Sequence, residues 1–167
     1  MTGTASRSAA WLTIIVLGVL ALLLGGFALW VSGELRGEQA TDDDRAAALD
    51  AAGTHAVNLL SLNYKTVDAD LGRILATSTG AARAEYSANA ARLKETTITN
   101  KVVQHGVLRA RGLESMAGGV AKVLVVADVE IRWEGSKNAP QERFYRWSMD
   151  VTKVGGVWLV SKAVQVL

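Results

Sequence analysis

Five residues hold most of the proton chemistry this sequence offers: Tyr64, Asp68, Tyr86, His105 and His55. A tyrosine and an aspartate enclosed by a curved sheet and helices can polarise a carbonyl and pass a proton. Tyr64, Asp68, Tyr86 and His105 are therefore the sharpest catalytic set. Against it stands a plainer reading, in which the tyrosines are core residues with bonded hydroxyls and Asp68 caps a helix. Nothing in the spacing makes the four side chains converge. His55 has no carboxylate three or four residues away, and the two histidines are not spaced as metal ligands on one helix. Each is read as a surface or hydrogen-bonded structural histidine.

Other chemistries are closed off by composition. The chain has no cysteine, which removes disulfides, thiolate nucleophiles and cysteine-based zinc sites together. It has no P-loop, no GxGxxG and no GxSxG. Gly118-Gly119 and Gly155-Gly156 are turns rather than phosphate cradles, because neither opens a helix. Asp42, Asp43 and Asp44 follow Thr41 and place negative charge at a helix N-terminus, where the macrodipole favours it. The expected catalytic, cofactor and metal residues are therefore none. The 167 residues include 18 basic and 16 acidic side chains. So even a balance argues against nucleic acid, which asks for a basic face.

The elements that carry these residues begin after a membrane segment. Residues 10–31 contain no charge, and Trp11 and Trp30 lie near the two ends. Their 19-position separation corresponds to roughly 28 Å of helix, close to the hydrocarbon thickness, so both indoles suit membrane interfaces. The run is too long for the apolar part of a cleavable signal peptide. Residues 1–9 form a cytoplasmic tail, 10–31 the transmembrane helix, 32–40 a linker and 41–167 an extracytoplasmic domain. This orientation, in the plasma membrane with the N-terminus inside, follows from a short tail before one anchor, because the positive-inside count is nearly silent.

Beyond Thr41 the apolar period is helical to about Leu62, with Leu49, Ala52, Ala56, Leu59 and Leu60 on one stripe. A short second helix, capped by Asp68 or Asp70, turns Leu71, Ile74 and Leu75 inward, and a third runs from about Ala81 to Lys94. The period then becomes two. Strands are predicted from Lys101 to Arg111 around Val103, His105 and Val107, and from Val120 to Trp133. Two more run from Gln141 to Lys153 and from Val157 to Val166, the last with Trp158, Val160, Val164 and Val166 on one face. Gly155-Gly156 makes a two-residue hairpin. Three helices before a four-stranded antiparallel meander make an α+β domain, and long strands predict a curved sheet wrapping the first helix. Of the three strand tryptophans, Trp133 lies at a strand end before Gly135–Pro140 and is the candidate partner contact.

Three features together resemble a known family. They are the element order, the segment from Leu59-Leu60-Ser61-Leu62-Asn63-Tyr64 through Asp68 to Thr79-Gly80 and Tyr86, and the ending Gly155-Gly156-Val157-Trp158-Leu159-Val160-Ser161. The sequence resembles the actinobacterial Mce-associated membrane proteins, where Mce abbreviates mammalian cell entry. That resemblance implies a cystatin-like or nuclear-transport-factor-like cone, similar to the extracytoplasmic domains of type IV secretion bridge proteins. It implies a non-enzymatic accessory role for an Mce-type lipid import complex in the cell envelope. It also implies that Tyr64, Asp68, Thr79, Gly80 and Tyr86 fix the joint where helix meets helix on the sheet. The expected partners are the lipid bilayer and Mce transporter subunits or other envelope membrane proteins. A bridge-like component of another envelope machine and a small-ligand or isomerase-like cone are the alternatives.

Overall fold

The computed structural model describes residues 41–166, of which one compact unit begins at Asp44. The tail, the 10–31 segment with Trp11 and Trp30, and the linker lie outside the described residues. Among the described residues no helix is long and apolar enough to cross a membrane.

Helix α1 occupies residues 41–60, α2 runs Val67–Ala76 and α3 Gly80–Thr99. The strands are β1 Val102–Ala117, β2 Val120–Trp133, β3 Gln141–Val154 and β4 Val157–Gln165. They pair in sequence order, all antiparallel, as one four-stranded sheet. The domain is thus the α+β architecture expected, three helices on an antiparallel meander.

Small side chains decide how α1 meets the sheet. Ala48, Ala52, Ala56 and Leu60 recur every four residues and are buried against the inward row of β2, namely Ala121, Val123, Val125, Ala127, Val129 and Ile131. Trp147, Met149 and Val151 of β3 and Trp158 and Val160 of β4 complete the core. Alanine on the helix lets its backbone ride close to the pleat, and the large side chains come from the sheet. Helix α1 stops at residue 60, two short of expectation, because the chain leaves it to pair with β1. Gln104 donates its N–H to the Leu62 carbonyl at 2.7 Å, and Tyr64 donates to the Val102 carbonyl at 2.9 Å. At this crossing the backbones nearly touch. A Cβ on buried Gly106 would lie 2.5 Å from the Leu60 Cβ.

Two strands depart from simple alternation. In β1 the row Val103, His105 and Val107 faces away from the helices, while Val102 and Gly106 are buried. Extra residues at Arg109 and Glu114 then shift the register, so that Leu113 and Met116 come back to the core. In β4, Asp150 pairs with Lys162 but Val151 pairs with Val160, so Ser161 is an extra residue. The bulge reverses the faces. Ala163 packs on the core, and Val164 and Val166, expected beside Trp158 and Val160, turn outward. The Ser161 hydroxyl donates to the Asp150 carbonyl at 3.1 Å and accepts from Thr152 at 2.9 Å, which holds the bulge.

Helix α3 extends five residues past Lys94, to Thr99. Its last turn is β-branched and reads poorly as helix. Burial of Thr97 and the Thr96 hydroxyl bonded to the Arg92 carbonyl hold it in place.

Candidate functional site

The four residues of the catalytic hypothesis do not meet. His105 is exposed on the outer face of the sheet, where it lines a depression of about 220 Å³ with Arg109, Asp128, Glu130, Glu142 and Phe144. The sheet separates it from Tyr86, which lies on α3 on the helical side. Asp68 is exposed and pairs with the Lys94 ammonium of α3 at 2.6 Å. Tyr64 holds the start of the α1–β1 crossing through its backbone, with the Lys65 ammonium 5.2 Å from its ring centre.

The residue that does meet Tyr86 is His55. It is fully buried in α1, its Nδ1 lies 2.8 Å from the Thr77 hydroxyl, and its Nε2 lies 3.2 Å from the Tyr86 hydroxyl. The Thr77 hydroxyl donates to the Arg73 carbonyl at 2.9 Å. That oxygen therefore accepts from imidazole Nδ1–H, and Asn58 also donates to it at 3.4 Å. Nε2 is left to accept from Tyr86, so the network assigns a neutral Nδ1–H tautomer. Burial pulls the imidazole down to about 4 and pushes the Tyr86 phenol up to about 12, with the Glu85 carboxylate adding to the latter. The result is a neutral, mutually satisfied cluster that pins α1, the α2–α3 turn and α3 to one another. Its signal in the sequence is a histidine beside an alanine stripe, which leaves it a surface or a structural histidine and does not say what it meets.

The remaining motif residues sit at the same joint. Thr79 donates its N–H to the Val160 carbonyl at 2.8 Å, and Val160 donates back to the Thr77 carbonyl at 3.1 Å, so the α2–α3 turn adds a short rung to β4. Gly80 opens α3 at φ +50, a left-handed conformation that suits glycine, and a Cβ added there would lie 3.7 Å from Ser161. Neither Asp68 nor Asp70 occupies the N-cap of α2, which is Thr66. Buried Asp70 reaches back from inside the helix instead. It accepts the Asn63 N–H at 2.8 Å, the Thr66 hydroxyl at 3.1 Å and the Arg73 guanidinium at 2.7 Å. Replacing exposed Asp68 with alanine should lower the unfolding free energy by less than about 1 kcal/mol. A larger loss in urea titration would mean that the Lys94 pair holds α2 on α3.

Asp44, expected only as a helix-end charge, is a connector. One carboxylate oxygen accepts Lys153 Nζ at 2.5 Å and Trp158 Nε1 at 3.2 Å, joining the start of α1 to the β3–β4 hairpin. The Lys153 ammonium, and after it the Trp158 indole, hold this carboxyl below its usual range. Trp133 is half-buried and packs on the core edge. It also lines a groove of about 430 Å³ with Val103, Arg132, Glu134, Ser136, Asn138 and Pro140. Among the described residues, every buried side-chain nitrogen or oxygen has a hydrogen-bond partner, and no three acidic, histidine or cysteine side chains are grouped to hold a metal.

The domain is similar in fold to several solved structures. It matches the periplasmic domain of DotI with a TM-score of 0.59 at 16% identity, over 72% of this chain and 94% of that one. An IcmL-like type IV secretion system protein from Legionella pneumophila matches at 0.58 and 14%, over 74% and 94%. CagV, a VirB8 homologue of the type IV secretion system of Helicobacter pylori, matches at 0.59 and 7%, over 72% and 97%. In sequence, the uncharacterised protein Rv1363c of Mycobacterium tuberculosis is 31% identical over 173 residues, covering 95% of this chain. The chain spans 65% of that relative's length. The family model described as uncharacterised protein Rv1363c/MT1408-like matches residues 5–166, and the chain belongs to that family.

Proposed function

We propose that this chain is a non-enzymatic structural component of a multi-protein assembly in the cell envelope. In this reading residues 10–31 anchor it in the plasma membrane and the α+β domain lies outside the cytosol. The observation that carries the proposal is the likeness of the domain, helices and sheet together, to the periplasmic domain of DotI and to two type IV secretion system proteins. The joint supports it as well, since His55, Thr77 and Tyr86 use their hydrogen-bonding capacity on one another.

Two machines fit. The fold favours a bridge-like component of a secretion-type machine. The motif from Leu59 to Tyr86 and the Gly155–Ser161 ending favour an accessory subunit that stabilises an Mce-type lipid importer. Affinity purification of the full chain from solubilised membranes distinguishes them. Recovery of Mce subunits, with lower levels of those subunits after gene deletion, is the outcome expected for the importer. Recovery of secretion ATPases is expected for the bridge. A chain that emerges alone, with unchanged envelope complexes and lipid uptake in the deletion strain, would remove both.

A further inference from the structure

Two of the three hairpin tips in the sheet are apolar, and both lie at the end where α1 begins. The β3–β4 tip reads Val154-Gly155-Gly156-Val157, and the β1–β2 tip reads Ala117-Gly118-Gly119-Val120. They are bonded to each other, Lys153 donating its N–H to the Gly119 carbonyl at 2.8 Å. Asp44, near the start of α1, binds Lys153 and Trp158 on either side of the β3–β4 tip. The exposed large apolar side chains of this rim are Val120 at 42%, Val154 at 47% and Val157 at 58%, with the exposed Lys153 beside them. All four glycines have positive φ, between 57° and 85°, a conformation that Asn-Gly or Asp-Gly also supplies at hairpin turns. So turn geometry does not demand apolar tips. The third connection, Glu134 to Pro140 at the opposite end, is polar and charged, with Ser136, Lys137 and Asn138.

We propose that the Val120, Val154 and Val157 rim docks on the bilayer surface beside the anchor. The inference rests on the reading of residues 10–31 as a membrane span. Residues 32–40 then allow α1 to begin at most about 30 Å from the lipid. The rim lies at the end of the domain where α1 starts. The valines offer such a contact apolar area that carries no charge to be neutralised.

The chain lacks cysteine, so a single introduced thiol can carry an environment-sensitive fluorophore. The full chain is reconstituted in vesicles of phosphatidylcholine and phosphatidylglycerol containing spin-labelled lipid. Fluorophores on Val157→Cys and Val120→Cys should lose intensity to a spin label near the headgroup. The same fluorophore on Asn138→Cys, at the opposite end, should not. Combining Val154→Ser and Val157→Ser should relieve the quenching at Val120→Cys. A fluorophore on Leu20→Cys reports the anchor separately and should be quenched by a spin label deep in the acyl chains. Quenching at Leu20→Cys with none at Val157→Cys overturns rim docking and leaves the anchor standing. Absence of quenching at Leu20→Cys overturns the anchor and the rim proposal with it. Energy transfer between labelled copies at Val157→Cys, without lipid quenching, would assign the rim to a second copy and also overturn it.

Discussion

Acidification is expected to loosen this domain by about 3 kcal/mol between pH 6.5 and pH 4, through His55 alone. Burial lowers the imidazole from its ordinary 6.5 to about 4. The folded state therefore holds the neutral form while the unfolded chain already binds a proton. Above pH 6.5 both states are neutral and the group has no effect. As pH falls through this window the unfolded state gains the proton and stability drops, and below pH 4 this group adds nothing further. The hydrogen bonds act in the same direction, because a proton on Nε2 would point at the Tyr86 hydroxyl, which now donates to that atom. Urea unfolding followed by tryptophan fluorescence, compared between the native chain and His55→Gln at pH 7 and pH 4, isolates the effect from carboxylates such as Asp44. The variant should start less stable and show a flatter pH dependence. Parallel curves for the two proteins would place the acid sensitivity elsewhere.

A valine at position 106 should cost about 3 kcal/mol, the upper part of the range for overpacking. The first carbon of its side chain would fall 2.5 Å from the Leu60 Cβ and 3.2 Å from the Leu60 carbonyl carbon, and backbone cannot step aside as a rotamer can. The same crossing carries the Gly106 N–H bond to the Ser61 hydroxyl at 3.2 Å, so separating α1 from β1 loses that contact too. Gly53 makes the comparison. Its added Cβ would meet Leu108 Cδ2 at 2.8 Å and Arg111 Nη1 at 3.3 Å, both ends of movable side chains. Gly53→Ala also gains about 1 kcal/mol of helix propensity, so it should stay within about 1 kcal/mol of the native chain. Equal losses for the two variants in thermal unfolding would show that close approach at the crossing is not what sets the cost.

Periodicity made the element order and most of the core legible. Val123, Val125, Ala127 and Val129 alternate strictly, and the glycine pairs mark the turns, so β2, β3 and both tight hairpins follow from pattern alone. The strand faces are misread for two reasons: a bulge adds a residue without leaving a mark in the alternation, and a glycine leaves a buried position unmarked. Ser161 reversed the faces of Val164 and Val166, and Gly106, which counts as neither apolar nor polar, concealed that the buried row of β1 is Val102 and Gly106. The helical joint was half legible. The motif marked Tyr86 and Thr79 as important to it, but the partner of Tyr86 is 31 positions away, at His55. No helical spacing reports that distance. Asp44 is a similar case, since an aspartate at a helix start has a sufficient local explanation and its partners on β3 and β4 are supplied by the fold.

The bulge in β4 also has a bearing on where the structure gives way first. Past Ser161 the strand buries little more than Ala163, and it is retained mainly by its ladder to β3, ending with the Val166 N–H on the Arg146 carbonyl at 2.9 Å. A segment held by main-chain bonds with so little greasy ballast behaves as a latch with its own low opening energy. Its amides should trade hydrogen for deuterium well before those of β2. Each opening would strip the flank of β3 beside Trp147, leaving a bare strand margin for a moment while the rest of the domain stays shut.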